Sequence, residues 1–364
     1  MSHVMLVQGD ARTIPLKTQS IHCVVTSPPY FNLRTYLDDA APLKAQELGT
    51  ETRHDCAGAF TDEACGQCYV CHIRQVMHEV WRVLRDDGTL WLNLGDSYTS
   101  GGRVGHGASV GDKQRTNRGM NDDTAPPRSP QPPGLKPKNL LGIPWRVALV
   151  LQADGWTLRS EIIWHKPTAM PESVRDRPTR DHEQVFLFTK KPTYFFDAEA
   201  VKEPASLGTH MRSGAVNGKK SLGRETEPHT KSSQAYHGYQ PHSRNIRTVW
   251  SILSEPYAGA HYATFPQELA RRCILAGTST DGCCPQCQAP WVRQMERTTG
   301  TDVPSYNGSS FQHGKTHDAR APLAAVGTGE RTLSVQTTGW TPSCACDAGE
   351  PPPCVVLDPF VGSG

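Results

Sequence analysis

The 364-residue sequence has no apolar stretch long enough to span a membrane, no signal peptide and no internal repeat. The first two absences exclude membrane and secreted proteins and predict a cytoplasmic location. In that reducing compartment, the twelve cysteines are not expected to form a disulfide framework. The third absence excludes a repeat protein.

The sequence also has little net charge, because the formal value is +2 at pH 7. Overall charge therefore does not indicate nucleic-acid binding. The charge is uneven, however: residues 202–247 carry eight Lys or Arg against three Glu, and residues 101–138 carry seven against three Asp. Both stretches lack apolar periodicity and predict disordered surface loops. A compatible alternative is that these basic loops become ordered when they contact phosphates.

The most informative motif is Ser27-Pro28-Pro29-Tyr30, which follows the apolar run Ile21–Thr26. Two prolines cannot continue a sheet or donate backbone hydrogen bonds, so they leave a rigid bend with bare carbonyls. Beside a hydroxyl and an aromatic ring, such a bend can hold a planar amino group. If the amino group belongs to a nucleobase, the aromatic ring can stack on that base, and the oxygens can accept hydrogen bonds from the base's NH2 group. The alternative is a simple proline turn that closes a strand.

A second motif lies at the other end of the sequence, where an apolar run leads into a glycine-rich loop. Glycines allow positive φ and close approach of a ligand to the backbone. A glycine-rich loop alone is weak evidence for a ligand-binding site. Together with the first motif, it is much stronger evidence. Its residues are Asp358, Pro359, Phe360, Val361, Gly362, Ser363 and Gly364.

In this order, the two motifs resemble the amino-directed DNA methyltransferases of the β arrangement, in which the catalytic motif precedes the S-adenosylmethionine loop. The resemblance covers most of the chain. It implies an α/β fold with a Rossmann-like S-adenosylmethionine-dependent methyltransferase sheet, to which the sequence itself adds predicted zinc-binding insertions and basic loops. It also implies that S-adenosylmethionine is the cofactor, that double-stranded DNA is the partner, and that N4 of cytosine or N6 of adenine is methylated. A restriction endonuclease partner is left open.

The resemblance further implies roles for individual residues. Ser27 Oγ and the Pro28 carbonyl would accept from the amino group of a flipped base, and Tyr30 would stack on it. Pro29 completes the catalytic motif. Serine at position 27 favours cytosine N4 over adenine N6, because family members with this tetrad are more often of that type. The residues implied to bind the cofactor are Asp10, Phe265, Asp358, Phe360, Gly362 and Gly364.

Eight cysteines have metal-ligand spacing. A Cys-Pro-x-Cys turn followed later by Cys-x-Cys predicts a closed, structural zinc site at Cys284, Cys287, Cys344 and Cys346. Cys283 and Cys354 are competing neighbours there. A second zinc is predicted at Cys56, Cys65, Cys68 and Cys71, with His54 or His72 as alternative ligands and partly free thiols as the alternative state. Cys23 and Cys273 lie in apolar segments and are predicted to be buried core thiols.

The pattern of apolar residues predicts alternating strands and helices. Strands are expected at 3–7, 21–26, 89–94, 156–164, 184–189 and 354–358, and helices at 69–84, 139–152 and 266–276. The corresponding segments are a catalytic half (1–98) with a cysteine-rich insert (54–72), a disordered basic loop (99–138), a core continuation (139–200), a basic target-recognition region (201–248), a core helix segment (249–278), a zinc-knuckle insertion (279–353) and the start of the cofactor loop (354–364).

Five arginines are candidates for DNA contact, with ordinary surface loops as the alternative. They are Arg175, Arg177, Arg180, Arg244 and Arg247. The sequence ends inside the cofactor loop, which predicts a truncated product or fragment with an incomplete cofactor pocket. A non-catalytic, zinc-stabilised DNA-binding fragment is therefore the competing hypothesis, and methylation of RNA or protein is a third.

Overall fold

The computed structural model describes residues 4–31, 33, 40–51, 53–56, 65–99, 135–204, 243–255, 266–301, 331–347 and 349–361. Most of the two predicted basic loops lies outside these residues, as do Phe265, Gly362 and Gly364. No helix in the described part is long and apolar enough to cross a membrane. The chain divides into two compact units, the first formed by residues 1–201, 247–292 and 342–364.

The first unit is built on a mixed six-stranded sheet. Its order is β10-β1-β2-β4-β3-β7, and only β4 runs antiparallel to its two neighbours. The mixed α/β class is therefore confirmed. The strands are β1 (Ile21–Thr26), β2 (Leu84–Leu94), β3 (Thr157–His165), β4 (His182–Thr189), β7 (Val249–Ser251) and β10 (Val356–Leu357).

Three helices accompany this sheet: α1 (Tyr69–Val83), α2 (Ile143–Ala153) and α3 (Gln267–Gly277). The apolar stripe of α1 is buried, as its three- and four-residue spacing predicted. The start of α2 was predicted four residues too early. Gly142 precedes the helix with a left-handed φ of 71°, and Asp96 accepts hydrogen bonds from the backbone N–H groups of Gly142 and Ile143.

The core joins the sheet to α1 and α2. Its largest fully buried side chains include Phe186 and Phe188 on β4, Leu90 and Leu92 on β2, and Met77 on α1. These positions alternate on the strands, so one face of the sheet packs against the helices. Cys23 and Cys273 are buried, as predicted.

The strand expected at 3–7 was wrong. Residues 4–7 form no strand and pair with no described strand, and Val4, Met5 and Leu6 are exposed. Two paired strands were not predicted: β8 (Trp291–Thr301) and β9 (Arg331–Pro342) lie within the segment expected as a zinc-knuckle insertion. Their glycines and polar residues do not follow the apolar alternation that indicates a strand.

The second unit comprises residues 202–246 and 293–341. It contains most of β8 and β9 and a short antiparallel pair, β5 (Glu203–Pro204) and β6 (Ser243–Arg244). Arg244 Nε donates to Glu203 Oε1 at 2.9 Å across that pair.

Candidate active site

The Ser27–Tyr30 tetrad and the first residues of the glycine-rich loop lie at one edge of the sheet. They follow β1 and β10, which are parallel neighbours, so the carboxyl ends of both strands meet there. Thr26 Oγ1 donates to Asp358 Oδ1 at 2.5 Å, and the Phe360 backbone N–H donates to the same oxygen at 2.9 Å. Two motifs more than 300 positions apart in the sequence are thereby joined.

A polar network surrounds the Tyr30 hydroxyl. Ser27 Oγ donates to it at 3.1 Å, and it donates to Glu183 Oε2 at 2.6 Å. Asn93 Nδ2 lies 2.7 Å from the same hydroxyl, 3.0 Å from Glu183 Oε2 and 3.3 Å from Ser27 Oγ. Lys166 Nζ completes the network as an ion-pair partner of Glu183 Oε1.

This network determines the protonation state of Tyr30 and leaves one acceptor of Asn93 unpaired. Burial, and then the neighbouring Glu183 carboxylate, raise the pKa of Tyr30 well above its ordinary value, so the phenol stays protonated. Asn93 is 4% exposed, and its Oδ1 is a buried acceptor with no partner in the described part of the chain. An unmet buried acceptor carries a desolvation cost that a donor from a ligand can offset.

The Tyr30 ring lies directly against Gly95, just beyond β2. A Cβ at Gly95 would lie 2.5 Å from Tyr30 Cε2 and 2.6 Å from Cδ2, so only glycine leaves room for the ring. Tyr69 Oη donates to the Pro29 carbonyl at 2.9 Å. The tetrad is therefore held both through its ring and through its backbone.

A cleft of about 480 Å³ lies beside the Asp358 turn. Asp10, predicted from the Gly-Asp pair, lies in its wall but is not free, because Arg12 Nη2 pairs with its Oδ2 at 2.7 Å. That guanidinium lowers the pKa of Asp10. The described residues that line the cleft are Gln8, Gly9, Asp10, Ala11, Arg12, Leu43, Gln46, Glu47, Leu48, His72, Val76, Pro359 and Phe360.

Comparison with known proteins adds an independent observation. A family model described as DNA methylase, of the N6 and N4 type, matches residues 21–284. The type II methyltransferase M.SmaI of Serratia marcescens is 41% identical over 279 residues, which is 76% of each chain. M.Cfr9I of Citrobacter freundii is 42% identical over 275 residues, covering 75% of this chain and 72% of its own.

The chain belongs to the N6/N4 DNA methylase family. It is an S-adenosylmethionine-dependent DNA methyltransferase, and both predictions from the sequence are confirmed. Among solved structures, the methylase is similar to PvuII DNA methyltransferase (cytosine-N4-specific), with a TM-score of 0.41 and 15% identity over 75% of this chain and 70% of that one.

The methylase brings the two predicted sets of four cysteine sulfurs together. Within each set, all four sulfurs lie within 4.8 Å of one another. In the first set, Cys71 Sγ lies 3.6 Å from Cys56 Sγ and 3.9 Å from Cys65 Sγ. Neither histidine alternative joins this set, and His72 instead contacts Glu51 and the Gly66 carbonyl.

Both sets contain the same local turn. The Gln67 backbone N–H points at Cys65 Sγ, and the Gln286 N–H points at Cys284 Sγ, each at 3.4 Å. These are the contacts expected of Cys-x-x-Cys knuckles. Backbone N–H groups, first that of Cys287, lower the pKa of the Cys284 thiol to about 7.

The competing cysteines form a third group with His22 instead of joining the knuckle. His22 Nδ1 accepts from the Val355 backbone N–H at 3.0 Å, and its Nε2 lies 2.8 Å from the Gln288 carbonyl oxygen. Both ring nitrogens are therefore engaged, so Cys283 and Cys354 gain no free histidine ligand.

The methylase places its candidate DNA-contacting arginines in different surroundings. Arg175 is exposed. Arg177 lies 4.0 Å from the Tyr98 ring centre and pairs with Glu172, and Arg180 Nη2 donates to Gln184 Oε1 at 3.2 Å. Arg244 pairs with Glu203 in the second unit, and the Arg247 carbonyl accepts from Trp250 Nε1 at 2.6 Å.

Several residues of the site were not predicted from the sequence. Asn93, Glu183, Lys166 and Tyr69 are polar groups at the ends of apolar strands or at the start of a helix. A polar residue that interrupts such a run, as Asn93 does between Leu92 and Leu94, is the available signal. Their convergence on the tetrad depends on the order of strands in the sheet.

Proposed function

We propose that this methylase transfers the methyl group of S-adenosylmethionine to the exocyclic N4 of a flipped cytosine in double-stranded DNA. The observation that carries the proposal is the short contact between Thr26 and Asp358. This contact places the Ser27–Tyr30 tetrad, whose oxygens would accept hydrogen bonds from the amino group, next to the glycine-rich loop that begins at Asp358. A base held at the tetrad would thus lie beside the cleft.

The roles of the tetrad follow from its donors and acceptors. Ser27 Oγ and the Pro28 carbonyl would accept from the two N–H groups of the base, which directs the nitrogen lone pair towards the methyl carbon. As the C–N bond formed, the bond from the methyl carbon to the sulfonium sulfur would break and leave a neutral thioether. Positive charge would develop on the nitrogen, and these oxygens would stabilise it until a proton leaves. The bound cofactor supplies the electrophilic methyl group.

The surrounding network would position these groups. Asn93 Nδ2 is within reach of both Ser27 Oγ and the Tyr30 hydroxyl. Glu183 accepts from Tyr30 and is neutralised by Lys166, so the ring is held in one orientation for stacking on the base. Asn93 Oδ1 offers a further buried acceptor at the same place.

The cleft beside Asp358 fits a cofactor of this kind. Its volume of about 480 Å³ falls within the range of about 300–1,000 Å³ for small-molecule sites. Leu48, Val76 and Phe360 offer apolar surface. The carboxylates of Asp10 and Glu47 are ion-paired with Arg12 and Lys44, and their remaining lone pairs would accept from hydroxyl groups. We propose that these residues bind S-adenosylmethionine together with Phe265, Gly362 and Gly364.

The thiol groups fit two structural zinc ions. A tetrahedral site with Zn–S distances of about 2.3 Å has sulfurs about 3.8 Å apart. The measured separations of 3.6 and 3.9 Å in the first set bracket that value. We propose one zinc at Cys56, Cys65, Cys68 and Cys71, and another at Cys284, Cys287, Cys344 and Cys346. With four protein ligands each, these ions would be structural.

We also propose that the five candidate arginines contact the DNA. Arg175 is exposed and Arg177 and Arg180 follow it closely in the sequence, on the segment that leads into β4 and Glu183. Arg244 and Arg247 are proposed to bind phosphates as part of the basic segment 202–247. The type II designation of the relatives supports a restriction endonuclease partner for the same DNA sequence.

Cytosine is preferred to adenine because the tetrad begins with serine. The test is mass spectrometry of nucleosides from unmodified DNA incubated with the protein and cofactor. We expect N4-methylcytosine, and a Ser27→Ala variant should form it at least about 100-fold more slowly. N6-methyladenine without N4-methylcytosine would show that the base assignment is wrong. Isothermal titration of S-adenosylmethionine on the same preparation should show micromolar binding.

A further inference from the structure

The prolines restrict the backbone torsions of the tetrad as far as ψ of Pro29. The pyrrolidine rings fix φ of Pro28 and Pro29. Ser27 and Pro28 each precede a proline, which restricts them to extended backbone. The torsion ψ of Pro29 is therefore the first that the tetrad's own chemistry leaves unset. It sets the orientation of the Pro29–Tyr30 peptide and so contributes to the position of the Tyr30 ring.

Tyr69 contacts the group that this torsion rotates. Its hydroxyl donates to the Pro29 carbonyl at 2.9 Å, and its side chain is fully buried. Its ring also packs on Phe31, with ring centres 5.6 Å apart. A single hydrogen bond thus fixes the Pro29–Tyr30 peptide plane from outside the tetrad.

Tyr69 is itself held among the first set of cysteines. It is the first residue of α1, directly after Cys68 and two positions before Cys71. Its backbone N–H donates to the Arg53 carbonyl at 3.1 Å, on the segment that leads to Cys56. Since α1 begins without a side-chain cap, its first turn depends on these neighbours for its position.

We propose that the thiol cluster Cys56, Cys65, Cys68 and Cys71 is a metal site that sets the geometry of the catalytic tetrad, and that Tyr69 is the positioning residue through which it acts. The inference rests on the proposed role of the tetrad as the grip on the base. A zinc ion at the cluster would lock the first turn of α1 to residues 53–56 and so hold the Tyr69 hydroxyl against Pro29.

The test compares four variants of the full chain: Tyr69→Phe, Cys65→Ser, their double variant, and Cys287→Ser. Cys65 and Cys287 are matched, because each is the exposed ligand of its set. Bound zinc is counted by plasma mass spectrometry, methyl transfer is followed in a single turnover at saturating cofactor and DNA, and cofactor affinity is measured by titration. Tyr194→Phe, which removes a hydroxyl near Arg159, is the control for Tyr69→Phe.

Tyr69→Phe should keep its zinc, bind cofactor within about twofold of wild type and transfer the methyl group about tenfold more slowly. Cys65→Ser should lose one zinc and slow transfer to a similar extent, and the double variant should be no slower than Cys65→Ser. Cys287→Ser should also lose one zinc but slow transfer less than Cys65→Ser does, and Tyr194→Phe should behave as wild type.

A wild-type transfer rate for Tyr69→Phe would overturn the proposal. So would a double variant whose rate falls by the product of the two single effects, or a Cys65→Ser protein that loses its zinc but transfers the methyl group at an unchanged rate. If Cys65→Ser does not fold, Tyr69→Phe alone decides. The methylated base is identified first with the wild-type protein, so an error in the proposed function is seen separately from a failure of this inference.

Discussion

Tyr30 shows how the environment of one residue prepares it for a task. Its hydroxyl is engaged by Ser27, Asn93 and Glu183, and its ring lies against Gly95. The ring therefore has little freedom before a base arrives. A stacking surface that is already oriented reduces the ordering cost of binding.

Gly95→Ala tests this arrangement. The added Cβ would lie 2.5 Å from Tyr30 Cε2, so the ring must move by about an ångström. We expect methyl transfer in a single turnover to fall about 100-fold, because displacement of a positioning group by that distance has such an effect. Cofactor affinity should be unchanged.

Gly349→Ala is the matched control, since nothing lies within 4 Å of a Cβ at that position. Equal transfer rates for the two alanine variants would mean that the position of the Tyr30 ring is not important for the reaction.

The residue scale is also where prediction from sequence was least complete. The tetrad could be identified because its four residues are contiguous. Glu183 could not, since it lies 153 positions from Tyr30 in the sequence and reaches it only because β4 pairs with β2. Local patterns contain no information about such distant contacts.

At the scale of elements, a largely buried ion pair joins α1 to Asp154, the residue that directly follows α2. Arg74 Nε lies 2.8 Å from Asp154 Oδ1 and 2.7 Å from Oδ2, and the two side chains are only 14% and 7% exposed. His78 Nε2 approaches the same carboxylate at 3.2 Å. Loss of one partner from such a pair leaves a buried charge uncompensated.

Asp154→Asn should therefore lower the free energy of unfolding by about 3 kcal/mol. The measurement is urea unfolding followed by circular dichroism. Asp176→Asn is the control, because Asp176 pairs with Lys138 where both side chains are more than half exposed. We expect no measurable change for this variant, because solvent screens an exposed ion pair. Equal losses in the two variants would contradict the structural difference between the pairs.

Most elements were predictable because their signals are local. The spacing of apolar residues located α1, β3, β4 and α3 to within a few residues. The prediction of a strand at 3–7 was wrong because a run of apolar residues does not show whether a neighbouring strand exists to pair with it. The strands β8 and β9 were missed because their sequences contain many polar residues and no apolar alternation.

At the scale of the molecule, each of the two thiol clusters joins cysteines that are separated in the sequence, and Cys68 and Cys71 of the first cluster also belong to the apolar core. The second cluster brings Cys284 and Cys287 to Cys344 and Cys346, and Gln286 Nε2 donates to the Asp347 carbonyl at 2.8 Å. Closure of a long loop has an entropic cost that a metal ion with four ligands can offset.

Protein purified under reducing conditions should accordingly contain two zinc ions per chain, as counted by plasma mass spectrometry. Removal of both by a chelator should lower the thermal unfolding midpoint, because metal bound only by the folded state stabilises it. A well-folded protein that contains no metal would contradict the prediction.

The two prolines have one further consequence, which concerns mutation of the target itself. A carbonyl of Pro28 can accept but never donate. Loss of the amino group from cytosine gives uracil, which presents an oxygen where the amino group was, so two lone pairs would face each other. For the proposed reaction, the Pro28 carbonyl would therefore disfavour the binding of a deaminated base, which also has no amino group left to methylate.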